Sequence, residues 1–242
     1  MKKWISTIVL ALLVAYIVVA VIAFSGKPTD QVCKGVKLEI TDSAEVGYLN
    51  TSDVLTLLKK SGLDPTGKLM EEVSLRTIEA ALDAASLVRK SECYKTIGGY
   101  VGVEVKCRRP ILHVIANNGE NYYIDEEGEV IEKISKAVYL PVATGYITRE
   151  FAKDELFALA CYLQANDFWN AQIGQVHVTA RKEIELVPRV GDHIIVLGRP
   201  NDYTGKFEKL YTFYEEGLGV LGWNKYSRIN LDYSDQVIGT RK

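Results

Sequence analysis

The stretch WISTIVLALLVAYIVVAVIAF, Trp4 to Phe24, holds 21 residues without a charge. As a helix rising about 1.5 Å per residue it would extend roughly 31 Å, the thickness of a bilayer's hydrocarbon core. Such a run constrains where everything after it can fold. The rival reading is a secretory signal, with Val21, Ile22 and Ala23 as the cleavage site. The apolar region of a signal is shorter, about 7–15 residues. The expectation is therefore an uncleaved transmembrane helix over 4–24, with Trp4 at one interface. Residues 1–3 form a cytoplasmic tail, because the positive flank of Lys2 and Lys3 stays inside. No second run of this kind follows, so the chain reads as single-pass with its bulk in the periplasm.

That bulk has the composition of a folded protein, with 48% hydrophobic and 25% charged residues. A net charge of −2 gives no electrostatic reason to expect nucleic acid. The cysteines, Cys33, Cys93, Cys107 and Cys161, form no CxxC pair and are too few for a disulfide scaffold. One bridge in an oxidising compartment and packed free thiols both remain open.

Residues 25–35 are polar, with Gly and Pro, and read as a linker. From 36 to 109 the order is β-α-α-β-β. VKLEI alternates as a strand. Two short amphipathic helices follow, one capped at Asn50 or Thr51 and stopped at Gly62, the other capped at Ser74. The strands LVRKSECYK and YVGVEVKCR then flank a loose turn, TIGG. Beyond Arg109-Pro110 the pattern changes, and 110–242 reads as a second, mixed α+β domain dominated by an antiparallel sheet. Turns are signalled at Asn118-Gly119, Glu127-Gly128 and Gly191-Asp192. Helical spacing appears over 149–166 and 202–216, with Gly217 as a helix stop. YSRINLDY, Tyr226 to Tyr233, reads as a late strand.

Catalytic patterns are not legible. His113, His177 and His193 are scattered, and no metalloprotease, nucleophile-elbow, Walker or paired-Cys zinc motif occurs. GLGVLG, Gly217 to Gly222, matches a dinucleotide fingerprint but follows a helix and leads toward a strand, the reverse of what phosphate binding requires. DEEGE, Asp125 to Glu129, has too few alternating oxygens for a calcium loop and reads as a hairpin. No cofactor, metal or small-molecule ligand is expected, and no enzyme.

VEVKCRRPILHV, YYIDEEGEVI with Asp125 and Gly128, FWNAQIGQVHV, IELVPRVGDHIIVLGRP and GWNKYSRINLDYSDQVIGTRK, taken in order after a basic N-terminus and one span, resemble the FtsQ/DivIB family of bacterial division proteins. The resemblance covers nearly the whole chain. It implies a POTRA-like module followed by a β-domain. It also implies an inner-membrane scaffold concentrated at the division septum, which binds FtsB and FtsL through the end of the β-domain. FtsK, FtsW and FtsI are further partners it implies, with regulation of septal peptidoglycan synthesis as the outcome. Some family members run on past their last strand, whereas this sequence stops at Lys242, which leaves the terminal edge uncovered. Two other readings compete: an anchored POTRA-type module of another envelope-assembly system, and an anchored periplasmic hydrolase.

The end of the sequence carries the site expectation. Val237 and Ile238 are apolar and strand-like with four residues left to cover them. An edge strand offers unpaired N–H and C=O groups to another chain. Tyr233, Ser234, Asp235, Gln236, Val237, Ile238, Gly239 and Thr240 are therefore the expected docking edge for a segment of FtsB. Main-chain bonds at about 0.5–1.5 kcal/mol each would be supplemented by apolar contacts from Tyr233, Val237 or Ile238.

Overall fold

The computed structural model describes residues 12–20, 31–41, 49–134, 136–219, 222–234 and 236–242. Residues 12–20 are helical with their side chains mostly exposed. The rest of the expected span, 4–11 and 21–24, lies outside the described residues, as do the tail 1–3 and most of the linker. Among the described residues no helix is long and apolar enough to cross a membrane.

The chain divides into two compact units. The first is built on a three-stranded sheet. Its elements are β1 (Val36–Ile40), α1 (Thr51–Lys60), α2 (Leu75–Asp83), β2 (Val88–Lys95) and β3 (Val101–Cys107). The β-α-α-β-β order matches the expectation. The spatial order is β1-β3-β2, with β1 parallel to β3 and Val36 opposite Val101. Each helix presents a single apolar stripe, which gives it one face to bury. Val54 and Leu58 of α1, and Ile78 and Leu82 of α2, are buried along with Val101, Val103 and Val105 of β3. Gly62, at φ +69°, turns the chain out of α1. Ser74 Oγ accepts the Thr77 N–H at 3.4 Å at the start of α2.

The second unit is built on nine strands. β4 (Pro110–Ala116), β5 (Asn121–Asp125) and β6 (Val130–Ile131) form a meander, and β7 is Val142–Gly145. α3 follows in three joined segments: Arg149–Phe151, a π-helical turn Ala152–Leu156, and Phe157–Gln164. Next come α4 (Asp167–Gln172), β8 (Ile173–Val178), β9 (Ile184–Pro188) and β10 (Ile194–Gly198). α5 (Tyr203–Thr212) continues as a π-helical segment, Phe213–Leu218, before β11 (Tyr226–Asn230) and β12 (Ile238–Arg241). The sheet order is β12-β11-β10-β9-β8-β7-β4-β5-β6.

This sheet is more mixed than the sequence suggested. β4–β7, β7–β8 and β10–β11 are parallel, and the other five joints are antiparallel. Parallel neighbours need a crossover, and the helices supply two: α3 with α4 between β7 and β8, and α5 between β10 and β11. Their apolar faces form one core with the sheet, uniting Leu156, Leu159, Leu163, Trp169, Phe207 and Leu210 with Leu112, Val176, Leu186, Ile195 and Ile229.

Three local readings need correction. The helix does not stop at Gly217 but runs on to Leu218, because the π-helical widening keeps Tyr214 and Leu218 in the core. α4 was not expected as a helix; Asn166 starts it by accepting the Trp169 N–H on its side chain. The late strand ends at Asn230 rather than at Tyr233. There the Asn230 side chain accepts the Asp232 N–H at 2.9 Å and turns the backbone away. Leu231 stays buried, but Tyr233 is 49% exposed.

Candidate functional site

β12 is an end strand of the nine-stranded sheet. One rim of its backbone pairs with β11, Asn230 opposite Ile238 and Ile229 opposite Gly239. Among the described residues no strand lies beside the other rim. The pairing is local and thin. Ser227 Oγ donates to the Thr240 carbonyl at 3.2 Å, and the Lys242 N–H donates to the Lys225 carbonyl at 3.2 Å. The Tyr226 ring lies across Gly239, where a side-chain carbon would sit 2.6 Å from the ring. Glycine is required there by the close approach of the ring. That ring also meets Phe213 edge-on at 5.5 Å.

The structure spreads the eight expected docking residues over two settings. Ile238, Gly239 and Thr240 lie in β12, whereas Tyr233, Ser234, Gln236 and Val237 belong to the bend that precedes it. Asp235 lies outside the described residues. Val237 is half-buried and packs on the core. Ile238 is 40% exposed. The register explains the contrast. A cross-strand row runs Thr144, His177, Glu185, Val196, Asn230, Ile238. This row occupies the sheet face away from the helices, since successive side chains alternate faces. His177 belongs to it, as an outward strand residue whose Nδ1 lies 3.1 Å from Thr144 Oγ1.

The bend is held by two lysines of α5. Lys209 Nζ donates to the carbonyls of Leu231, Tyr233 and Ser234 at 3.4, 2.5 and 3.1 Å. Lys206 is buried, donates to the Arg199 carbonyl and to Asn201 Oδ1, both at 2.8 Å, and sits 3.7 Å from Asp232. Burial pulls its ammonium below the usual lysine range, and Asp232 opposes that shift. These two residues escaped sequence reasoning, because a helical lysine normally reads as solvated. The one available signal was a Lys at position 206 beside Phe207, at the start of the apolar face. Between α5 and the bend lies a groove of about 440 Å³, lined by Lys209, Thr212, Phe213, Glu216, Gln236 and Val237. It adjoins the open edge and combines an aromatic floor with charged walls.

Beyond β12, Lys242 pairs with Asp192 in the β9–β10 turn. That ammonium holds the Asp192 carboxyl below the usual range. The next residue, His193, is 2% exposed. Its Nε2 lies 2.8 Å from the Tyr214 hydroxyl, and Nδ1 has no hydrogen-bond partner among the described residues. Burial pushes its pKa down.

Among the described residues no group of three or more His, Cys, Asp or Glu could hold a metal ion. Cys33 and Cys107 are buried, and Cys93 and Cys161 are half-buried. DEEGE is a hairpin: buried Asp125 accepts the N–H groups of Glu127 and Glu129 and pairs with Arg108 at 2.8 Å.

Two family models match the sequence. Residues 31–106 match the POTRA-like domain, and residues 109–240 match the FtsQ/DivIB, C-terminal related domain. No curated protein matches the chain. The second match covers more than half of the sequence, spans eight of the nine strands and reaches into β12, and follows a POTRA-like match in the family's order, so the chain belongs to the FtsQ/DivIB family.

Proposed function

We propose that this chain is a membrane-anchored periplasmic scaffold of the bacterial division machinery and that it captures FtsB, with FtsL, by strand addition to β12. The family membership supports a division-associated, POTRA-type scaffold whose role is protein–protein interaction. The observation that carries the finer reading is the unpaired outer rim of β12. An added strand would gain main-chain hydrogen bonds there. Ile238 offers apolar contact on the open face, and the groove beside Val237 takes a side chain of the partner on the other. Alternate side chains of one added strand reach both, which is how strand addition becomes selective. Recruitment through the POTRA-like unit, by FtsK, and control of septal peptidoglycan synthesis by FtsW and FtsI, complete the scheme that the family suggests.

The anchor is the run 4–24, oriented by Lys2 and Lys3, which would set the second unit in the periplasm at the septum. The chain's part is to bind and position, with no bond made or broken. A fluorescent fusion should form midcell bands, and depletion should give filaments; a diffuse envelope signal would reject the septal role.

The docking claim has its own test. Val237→Pro combined with Ile238→Lys removes a donor and an apolar contact. Burying an isoleucine is worth about 1.5–3 kcal/mol, so capture of FtsB should weaken by at least about tenfold. Circular dichroism and the melting temperature establish that the variant is folded. Undiminished capture by a folded variant rejects the edge.

A further inference from the structure

The β9–β10 turn brings together three features that docking does not explain. His193 is buried between two aromatic rings, with centroids 5.5 Å from Tyr214 and 6.4 Å from Trp223. One of its ring nitrogens is unpaired among the described residues. Its neighbour, Asp192, is the carboxylate that holds Lys242, directly after the edge strand. A buried polar atom without a partner costs about 1–3 kcal/mol, and such an atom in a native fold needs an explanation.

A neutral imidazole has one donor and one acceptor, whereas the imidazolium has two donors. Nε2 already faces the Tyr214 oxygen. On protonation Nδ1 is therefore a charged donor in an apolar pocket, and it requires an acceptor. The groups packed on the ring are Tyr214, Trp223 and Gly191, none of them charged. The Gln172 side chain donates to the Val190 carbonyl at 3.2 Å. The charges acting on the ring are Asp192, which favours the imidazolium, and Lys242, which opposes it.

We propose that His193 is a proton-operated latch on the edge strand: protonation of the imidazole draws the Asp192 carboxylate off Lys242 and releases the end of β12. The proton comes from solvent, and no covalent bond changes. Above the ordinary histidine range the imidazole is neutral, Asp192 serves Lys242, and β12 is held at its far end. Below that range Asp192 has two claimants. Asp192 itself stays ionised throughout, because Lys242 keeps its carboxyl below the usual range. A transition below the ordinary histidine range therefore belongs to His193, whose burial lowers its pKa.

The latch concerns the free protein. Only its consequence, weaker partner capture in acid, rests on the docking reading. The two are separated by measuring hydrogen exchange on the full chain without any partner. Opening constants for the amides of Thr240 and Lys242, corrected for intrinsic rates, are compared at pH 7.5 and at a pH below the midpoint of the His193 imidazole carbon shift. The exchanged contact is an exposed pair, worth up to about fivefold, so the expected increase in opening below that midpoint is roughly threefold. His193→Gln should abolish that increase, and Asp192→Asn should give the opened level at both pH values. Equal opening of the wild type at the two pH values overturns the proposal, as does an undiminished pH response in His193→Gln. If His193→Gln does not fold, the imidazole carbon shift of the wild type is followed against pH. A midpoint that coincides with the opening transition supports the latch, and one that does not rejects it.

Discussion

Single side chains decide two of the local structures, and each can be tested alone. Asp125 is buried and answers two backbone N–H groups and Arg108 from one carboxylate. Replacing it with Ala strands both N–H groups and leaves Arg108 with Glu127 alone, at 3.5 Å, and breaking a buried pair costs about 3–5 kcal/mol. Asp125→Ala should lower the unfolding free energy in urea by roughly that amount, with Asp125→Asn losing less. His193 is the second case. Its pKa is depressed in the fold, so the unfolded chain takes up the proton first as pH falls. Its contribution is complete above about pH 6.5 and declines as pH drops toward the folded value. The urea midpoint of the second unit should therefore fall between pH 7 and 5, and the fall should shrink in His193→Phe.

At the scale of elements, the aromatic joint between α4 and α5 carries much of the packing. Trp169 is 2% exposed, with ring centroids 4.8 Å from Phe207 and 5.8 Å from Tyr214. Trp169→Ala should cost about 3–5 kcal/mol, read as a lower urea midpoint with the helical signal retained below it. Elements of this kind differ in how far a sequence discloses them. β1, α1, α2, β2 and β3 were legible because each repeats its apolar period within a few residues and ends at Gly or a cap. α4 was not, since six residues are less than two turns and its start depends on one Asn side chain. The end of β11 was misread for a related reason. Leu231 is buried and keeps the alternation going, but Asn230 has already turned the backbone. Parallel joints such as β10–β11 leave no trace in alternation, which is the same whichever way a neighbour runs. The terminal edge was legible as an apolar strand near the end of the sequence. The division of labour between inward Val237 and outward Ile238 came only with the register, and the lysine brace from α5 came only with burial.

For the whole molecule, each unit has its own apolar centre, which gives each a transition of its own. Leu58→Ala removes a fully buried side chain of the first unit and should cost about 2–5 kcal/mol. Calorimetry should show the transition of the first unit displaced downward and that of the second unmoved. Displacement of both by similar amounts would show that the units do not unfold separately. One feature of the second unit reaches beyond stability. Among the described residues β12 pairs with β11 alone, and the chain reaches the parallel place of β11 beside β10 by way of α5. The position of β12 thus depends on that of β11, and through it on β10 and α5. Under the docking we propose, a molecule in which β10, α5 or β11 is out of place would lack this edge, so capture there would also report that this part of the fold is complete.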